Sequence, residues 1–125
     1  MSFPMAATDV IPANSPASIS AETLRLWLAA NEAVLIDVRD PEEYEDEHIP
    51  GAMLIPLSTL DRAALPQADG RPRVLQCLTG KRSAIALERL AASGITDLLH
   101  LDGGLLAYKK AGGRTIEADD EAVAA

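Results

Sequence analysis

Residues 74–84 read VLQCLTGKRSA: a β-rich run that meets a cysteine, a glycine and two cations before small and apolar residues resume. Arg73–Cys77 predicts a strand with Cys77 as its last residue. Ser83–Ala92 predicts a helix with Ile85, Leu87 and Leu90 apolar, closed by Gly94 near its C-cap. The connection Leu78-Thr79-Gly80-Lys81-Arg82 runs straight from one into the other. In open parallel sheets, ligands bind beyond the carboxyl ends of the strands, where loops feed helix N-termini. Such a loop can curl its backbone N–H groups toward one point, forming an anion-binding nest reinforced by the helix dipole. Gly80 supplies the freedom to curl, and Lys81 and Arg82 set two positive charges beside the thiol. Each of these favours the thiolate, the nucleophilic form of cysteine. A lone cysteine is ordinarily a small buried hydrophobe, and an inert thiol has no need of this loop.

Outward from this stretch, strands and helices alternate. Ser20 suits the N-cap of a helix over Ala21–Ala30, where Leu24, Trp27 and Leu28 share a face. Val34–Val38 has little polar alternation, as expected of a strand buried on both sides. Pro41 opens a short acidic helix through Glu47, and Met53–Ile55 is a further strand. A helix-like stretch follows from Leu57 to Ala64. Asp97–Leu101 predicts another strand, and Gly104–Ala111 a last helix before Gly112-Gly113. This alternation argues for α/β architecture, a parallel sheet covered on both faces. Residues 1–17 hold three prolines and no periodicity and are expected to be a flexible leader, the alternative being a short arm packed through Val10 and Ile11. Residues 18–113 form the expected domain, and 114–125 an acidic tail, solvated or a frayed helix.

The 125 residues carry 11 Lys and Arg against 19 Asp and Glu, a net charge of -8. That field repels phosphate backbones and anionic headgroups, so neither nucleic acid nor a membrane surface is an expected partner. One cysteine excludes an intramolecular disulfide, and two histidines far from it make no recognisable metal site. No apolar run reaches the roughly 18 residues of a membrane span, and the N-terminus lacks the pattern of a secretory signal. The expected location is cytoplasmic. Gly80-Lys81 fails as a phosphate-binding loop, because the first glycine would fall at Leu75 and Arg82 follows the lysine. Gly103-Gly104 lacks the rest of a dinucleotide fingerprint. A cysteine–histidine pair could use His48 or His100, and the sequence favours neither.

The same residues resemble a known family. Cys77-Leu78-Thr79-Gly80-Lys81-Arg82 is similar to the Cys-x-x-Gly-x-Arg active-site loop of single-domain rhodaneses, the thiosulfate sulfurtransferase-like family. Tyr44-x-x-x-His48-Ile49-Pro50-Gly51-Ala52-x-x-Ile55 resembles a second rhodanese signature. Leu35–Arg39 resembles the strand before it, and Leu101-Asp102-Gly103-Gly104 the turn before the last helix. Tyr108 stands where the family often has tryptophan. The matches run from about Ile19 to Gly112. The resemblance implies a five-stranded parallel sheet with helices on both faces, and sulfur-transfer chemistry without metal or organic cofactor. It makes Cys77 the nucleophile and persulfide carrier. The amides of Leu78, Thr79, Gly80, Lys81 and Arg82 would cradle the anionic sulfur, and the two cations would attract an anionic sulfur donor. The acceptor would be cyanide, a thiol or a protein cysteine; with no second cysteine, the sulfur must leave to an outside group.

Three residues near this loop read as structural. Asp37, in an apolar strand, needs a partner such as Arg39, and His48 fixes the turn into Ile49-Pro50-Gly51. His100 reads as scaffold. Six carboxylates in Asp40–Glu47 form a solvated helix face, or a docking surface for a basic partner. Two rival functions share the fold. Rhodanese-related phosphatases and arsenate reductases resemble Cys-x5-Arg, whereas Cys77 and Arg82 enclose only four residues, a smaller cradle suited to sulfur. Non-catalytic rhodanese modules that bind or regulate typically lack the cysteine.

Overall fold

A computed structural model describes residues 17–61 and 64–118. Five parallel strands form one sheet: β1 (Ser18–Ile19), β2 (Val34–Asp37), β4 (Met53–Leu54), β5 (Arg73–Gln76) and β6 (Leu98–Leu101), in the order β1-β6-β5-β2-β4. The central strands are the apolar runs legible in sequence. Along each of them alternate residues enter opposite cores, because side chains alternate across a strand. Leu35, Val74, Leu99 and Leu101 pack with Leu24 of helix α1 (Ala21–Ala29) and Leu105 and Tyr108 of α4 (Gly104–Lys110). Ile36, Leu75, Cys77 and Leu98 pack instead with Ala86, Leu87 and Leu90 of α3 (Lys81–Ala92). The sheet is therefore covered on both faces, as the α/β reading requires. Complete burial of a side chain such as Leu24 contributes about 1.5–3 kcal/mol.

Several boundaries differ from the sequence reading, each for a local reason. Strand β1 has only two residues and no pattern of its own; its register, Ser18 opposite His100 and Ile19 opposite Leu101, comes entirely from β6. The expected Leu57–Ala64 helix is broken at Leu60. Leu57–Thr59 form a 3-10 turn in which the Thr59 hydroxyl donates to the Pro56 carbonyl, Leu60 turns extended to bury its side chain, and Ala64 N donates to the Asp61 carbonyl at 3.1 Å. Residues 62–63 of that stretch lie outside the described residues, as do residues 1–16 of the expected leader with Val10 and Ile11.

The acidic helix is α2 (Pro41–Asp46), and Glu47–His48 continue as β3, antiparallel to β7 (Ile116–Glu117). The beginning of the stretch expected to be a solvated tail is thus paired: Thr115 Oγ1 donates to the Glu47 carboxylate at 2.6 Å, and Ile116 lies opposite His48. Residues 119–125 lie outside the described residues. Among the described residues no helix is long and apolar enough to cross a membrane.

Candidate active site

Strand β5 ends at Gln76, one residue before the expected Cys77. The ladder stops because the Cys77 carbonyl has left the sheet: it accepts from Leu105 N at 2.8 Å, at the first turn of α4. The Leu78 carbonyl accepts from Leu106 N at 3.2 Å. Helix α4 can come this close only because residue 104 is glycine, at φ 63°, where a Cβ would overlap both carbonyls. Helix α3 begins at Lys81, two residues before the sequence places it, since Gly80 at φ 104° turns the chain directly into the helix.

That early start brings backbone donors onto the sulfur. Gly80 N donates to Cys77 Sγ at 3.1 Å, and Ser83 N donates at 3.3 Å from the first turn of α3, where helix amides have no intrahelical partner. The cradle named in the sequence, Leu78–Arg82, therefore reaches the sulfur through Gly80, and the second amide comes from Ser83, outside that stretch. The Ser83 hydroxyl adds a third contact, 3.7 Å from Sγ with the thiol as donor. Cys77 is only 1 % exposed, so the sulfur sits on the floor of the cradle. Leu78 is half-buried beside it, and Thr79 and Lys81 are exposed.

Arg82 does not point freely into the mouth. Its fork grips Glu43 of α2, Nη1 to Oε1 at 2.7 Å and Nη2 to Oε2 at 3.0 Å. The Arg82 bond holds the Glu43 carboxyl down at about 2, burial opposing it, and the same pair raises Arg82. Glu43 also accepts from Asp40 N at 2.9 Å, which closes the start of α2. The acidic run is thus not wholly a solvated face: Glu43 is spent on the cysteine loop and Glu47 on Lys109 and Thr115, while Asp40, Glu42, Glu45 and Asp46 are exposed.

Asp37 and Arg39 meet as a buried ion pair, 2.8 Å between Arg39 Nη2 and Asp37 Oδ2, and Arg39 also donates to the Glu47 carbonyl. This clamp ties the end of β2 to the end of α2. The His48 ring stacks on Tyr44 at 3.8 Å, with Nδ1 2.7 Å from the Tyr44 carbonyl, and Tyr44 OH donates to the Ala52 carbonyl across the turn. His100 is buried on β6 with Nδ1 2.9 Å from Ser83 Oγ. Sequence reasoning missed Ser83, Glu43, Gly104 and this contact of His100. Ser83 left a signal as a short polar residue three positions past a glycine N-cap, and Gly104 stood in the Gly103-Gly104 turn with nothing local to show that it meets the cysteine loop.

Comparison with known proteins agrees with this arrangement. A rhodanese-like domain matches residues 20–111. An uncharacterized Synechocystis protein, slr1261, is 42% identical over 100 residues, which are 80% of this chain and 56% of that protein; the chain thus spans little over half of that relative. The thiosulfate sulfurtransferase GlpE of Pseudoalteromonas translucida is 30% identical over 78% of this chain and 91% of its own length. The solution structure of a rhodanese-like domain from Anabaena superposes with a TM-score of 0.70 at 31% identity, covering 80% of this chain and 78% of that one. With a parallel five-stranded sheet, one cysteine at the carboxyl end of its central strand and these relatives, the chain belongs to the rhodanese-like family.

Proposed function

We propose that the protein is a sulfurtransferase that carries sulfane sulfur as a persulfide on Cys77. The observation that carries this reading is the pair of backbone N–H groups, Gly80 and Ser83, converging on the Cys77 sulfur. Donors fixed in this way stabilise negative charge on sulfur without any reorganisation when the charge moves. The thiolate attacks the outer sulfur of thiosulfate or a similar donor. A sulfur–sulfur bond forms to Cys77, the donor's own sulfur–sulfur bond breaks, and sulfite leaves with the electron pair. Cyanide, a thiolate or a protein cysteine then attacks the terminal sulfur, and the Cys77 thiolate departs as leaving group. No proton, metal or organic cofactor is required by this balance. The anionic donor approaches past exposed Lys81, while the amides of the loop hold the transferred sulfur.

The Glu43–Arg82 pair supports sulfur over phosphoryl or arsenate chemistry. A tetrahedral oxyanion needs the arginine fork for itself, and here both of its terminal nitrogens are on Glu43. A purely binding role has no use for a buried sulfur with two amide donors. The test is the intact mass of reduced protein after thiosulfate, beside Cys77→Ser. The expected result is a gain of one sulfur on the wild type alone, erased by cyanide or thiol. A folded protein that gains no sulfur from thiosulfate, mercaptopyruvate or a protein persulfide overturns the reading.

A further inference from the structure

We propose that His100 is a positioning residue for the Cys77 sulfur, acting through the Ser83 hydroxyl. The three groups form a buried chain from β6 through α3 to the cysteine loop: His100 Nδ1 to Ser83 Oγ 2.9 Å, and Ser83 Oγ to Cys77 Sγ 3.7 Å. Cys77, Ser83 and His100 are 1%, 0% and 6% exposed, so no bulk water replaces a contact that is lost.

A serine hydroxyl has one proton to give and two lone pairs to receive with. The Gly80 carbonyl, 3.2 Å away, can only accept that proton. The sulfur can accept it as thiolate but not compete for it as thiol. His100 decides the outcome. When Nδ1 carries its proton, it donates to Ser83 Oγ, and the serine proton is free to turn to the sulfur. When Nδ1 is bare, Ser83 donates to it and shows the sulfur a lone pair, which suits a thiol and repels a thiolate. The tautomer with the proton on Nδ1 is therefore the one that supports the nucleophile and the departing thiolate of the transfer cycle.

The surroundings keep the ring neutral, so the choice lies between its two nitrogens. Burial lowers the His100 pKa, and Asp102 on the following turn opposes this. The elements packed on the ring bring neutral residues opposite it: Ser18 on β1, Leu75 on β5 and Ser83 on α3. Cys77, beyond Ser83, is the other titratable group of the chain of contacts.

The inference rests on the reading of Cys77 as a nucleophile, but its test needs no sulfur donor. The rate of iodoacetamide alkylation and the ultraviolet absorbance of the thiolate are followed against pH in wild type, His100→Phe, His100→Asn, Ser83→Ala and the Ser83→Ala/His100→Phe double variant. His100→Phe is expected to slow alkylation at neutral pH about three- to tenfold, the scale of one ordinary intramolecular hydrogen bond. His100→Asn, which keeps a hydrogen-bonding group near the place of Nδ1, should retain most of the rate. Ser83→Ala should match His100→Phe, and the double variant should lose no more than Ser83→Ala alone, because the two residues act in series. A folded His100→Phe with the wild-type profile, or a double variant whose losses multiply, overturns the proposal. Should His100→Phe not fold, the wild-type protein decides: the nitrogen resonance of His100 Nδ1 must move with the thiol titration, and a resonance that stays still overturns it. A Cys77 that depends on His100 in this way yet takes up no sulfur would support this proposal and overturn only the sulfurtransferase reading.

Discussion

Two helices begin beside Cys77 by the same device and serve it in opposite ways. Helix α3 follows Gly80 at φ 104° and α4 follows Gly103 at φ 78°, and neither start has a side-chain cap. At α3 the free amide of Ser83 meets the sulfur. At α4 the amides of Leu105 and Leu106 meet the carbonyls of Cys77 and Leu78. The positive end of a helix is thus not a site in itself; what its amides face decides whether it binds a ligand or the frame. The second helix makes the first one useful. By pulling two carbonyls toward itself, α4 turns the N–H groups of Leu78 and Thr79 to the other side of their trans peptides. A loop carbonyl facing the sulfur would repel the charge that α3 is placed to stabilise.

The sharpest way to break this division of labour is at the two glycines. Gly104→Ala places a Cβ over both loop carbonyls at a left-handed φ of 63°, so α4 must withdraw. We expect a loss of about 3 kcal/mol or more by urea unfolding, with sulfur transfer largely lost. An unchanged midpoint would show that α4 does not hold the loop. Gly80→Ala has more room, its nearest neighbour being Gly103 N at 3.3 Å. It should cost about 1–2 kcal/mol, chiefly for the left-handed backbone, and slow thiol alkylation more than it lowers stability. The reverse ranking of the two variants would reverse the roles of the two helices.

The same comparison shows why the site was only partly legible in the sequence. Cys77, Gly80 and the strand before them stand within one short stretch, and an apolar run into a glycine turn carries its meaning locally. The central strands were legible for the same reason, since burial on both faces leaves a continuous apolar run. Strand β1 was not, because two residues paired to β6 have no period to read. The side chains that complete the site come from far along the chain: Glu43 is 39 residues from Arg82, and His100 is 17 from Ser83. Arg82 therefore read as a free cation at the mouth, and only the folded chain, which sets Glu43 of α2 against it, reveals its partner. His48 and His100 looked equivalent in sequence; register puts one on Tyr44 and the other on Ser83.

Glu43 itself gives a smaller effect, in binding. Glu43→Gln removes the countercharge of Arg82 while the fold keeps its other clamp at Asp37 and Arg39. One unmatched positive charge near the mouth is worth about 1 kcal/mol to a nearby anion in water. The KM for thiosulfate should accordingly fall roughly fivefold, with kcat nearly unchanged, and the gain should shrink as salt is added. A KM that rises would mean that Glu43 orients Arg82 for the donor and does not merely neutralise it.

The smallest effect separates the site's acid response into two steps. Buried His100 has its pKa lowered from 6.5, so protonation favours the unfolded chain, and stability begins to fall as the pH drops through that value. Glu43 is lowered from 4.5 to about 2, so its contribution is complete above pH 4.5 and is lost as the pH falls through the interval down to about 2. Glu47 responds in the same direction: burial pushes its carboxyl up, and the bonds from Thr115 and Lys109 overcome this. Because the Glu43–Arg82 pair is about one-third exposed on each side, solvent screens it and its worth stays below about 1 kcal/mol. The Tm of Glu43→Gln should lie roughly 2–4 °C below wild type at neutral pH, and the gap should begin to close near pH 4.5 and go on closing down to about pH 2. The first step, above pH 5, should be the same in both proteins and vanish in His100→Phe. A gap that stays constant down to about pH 3 would show that Glu43 supports the fold through its bond to Asp40 N and not through Arg82.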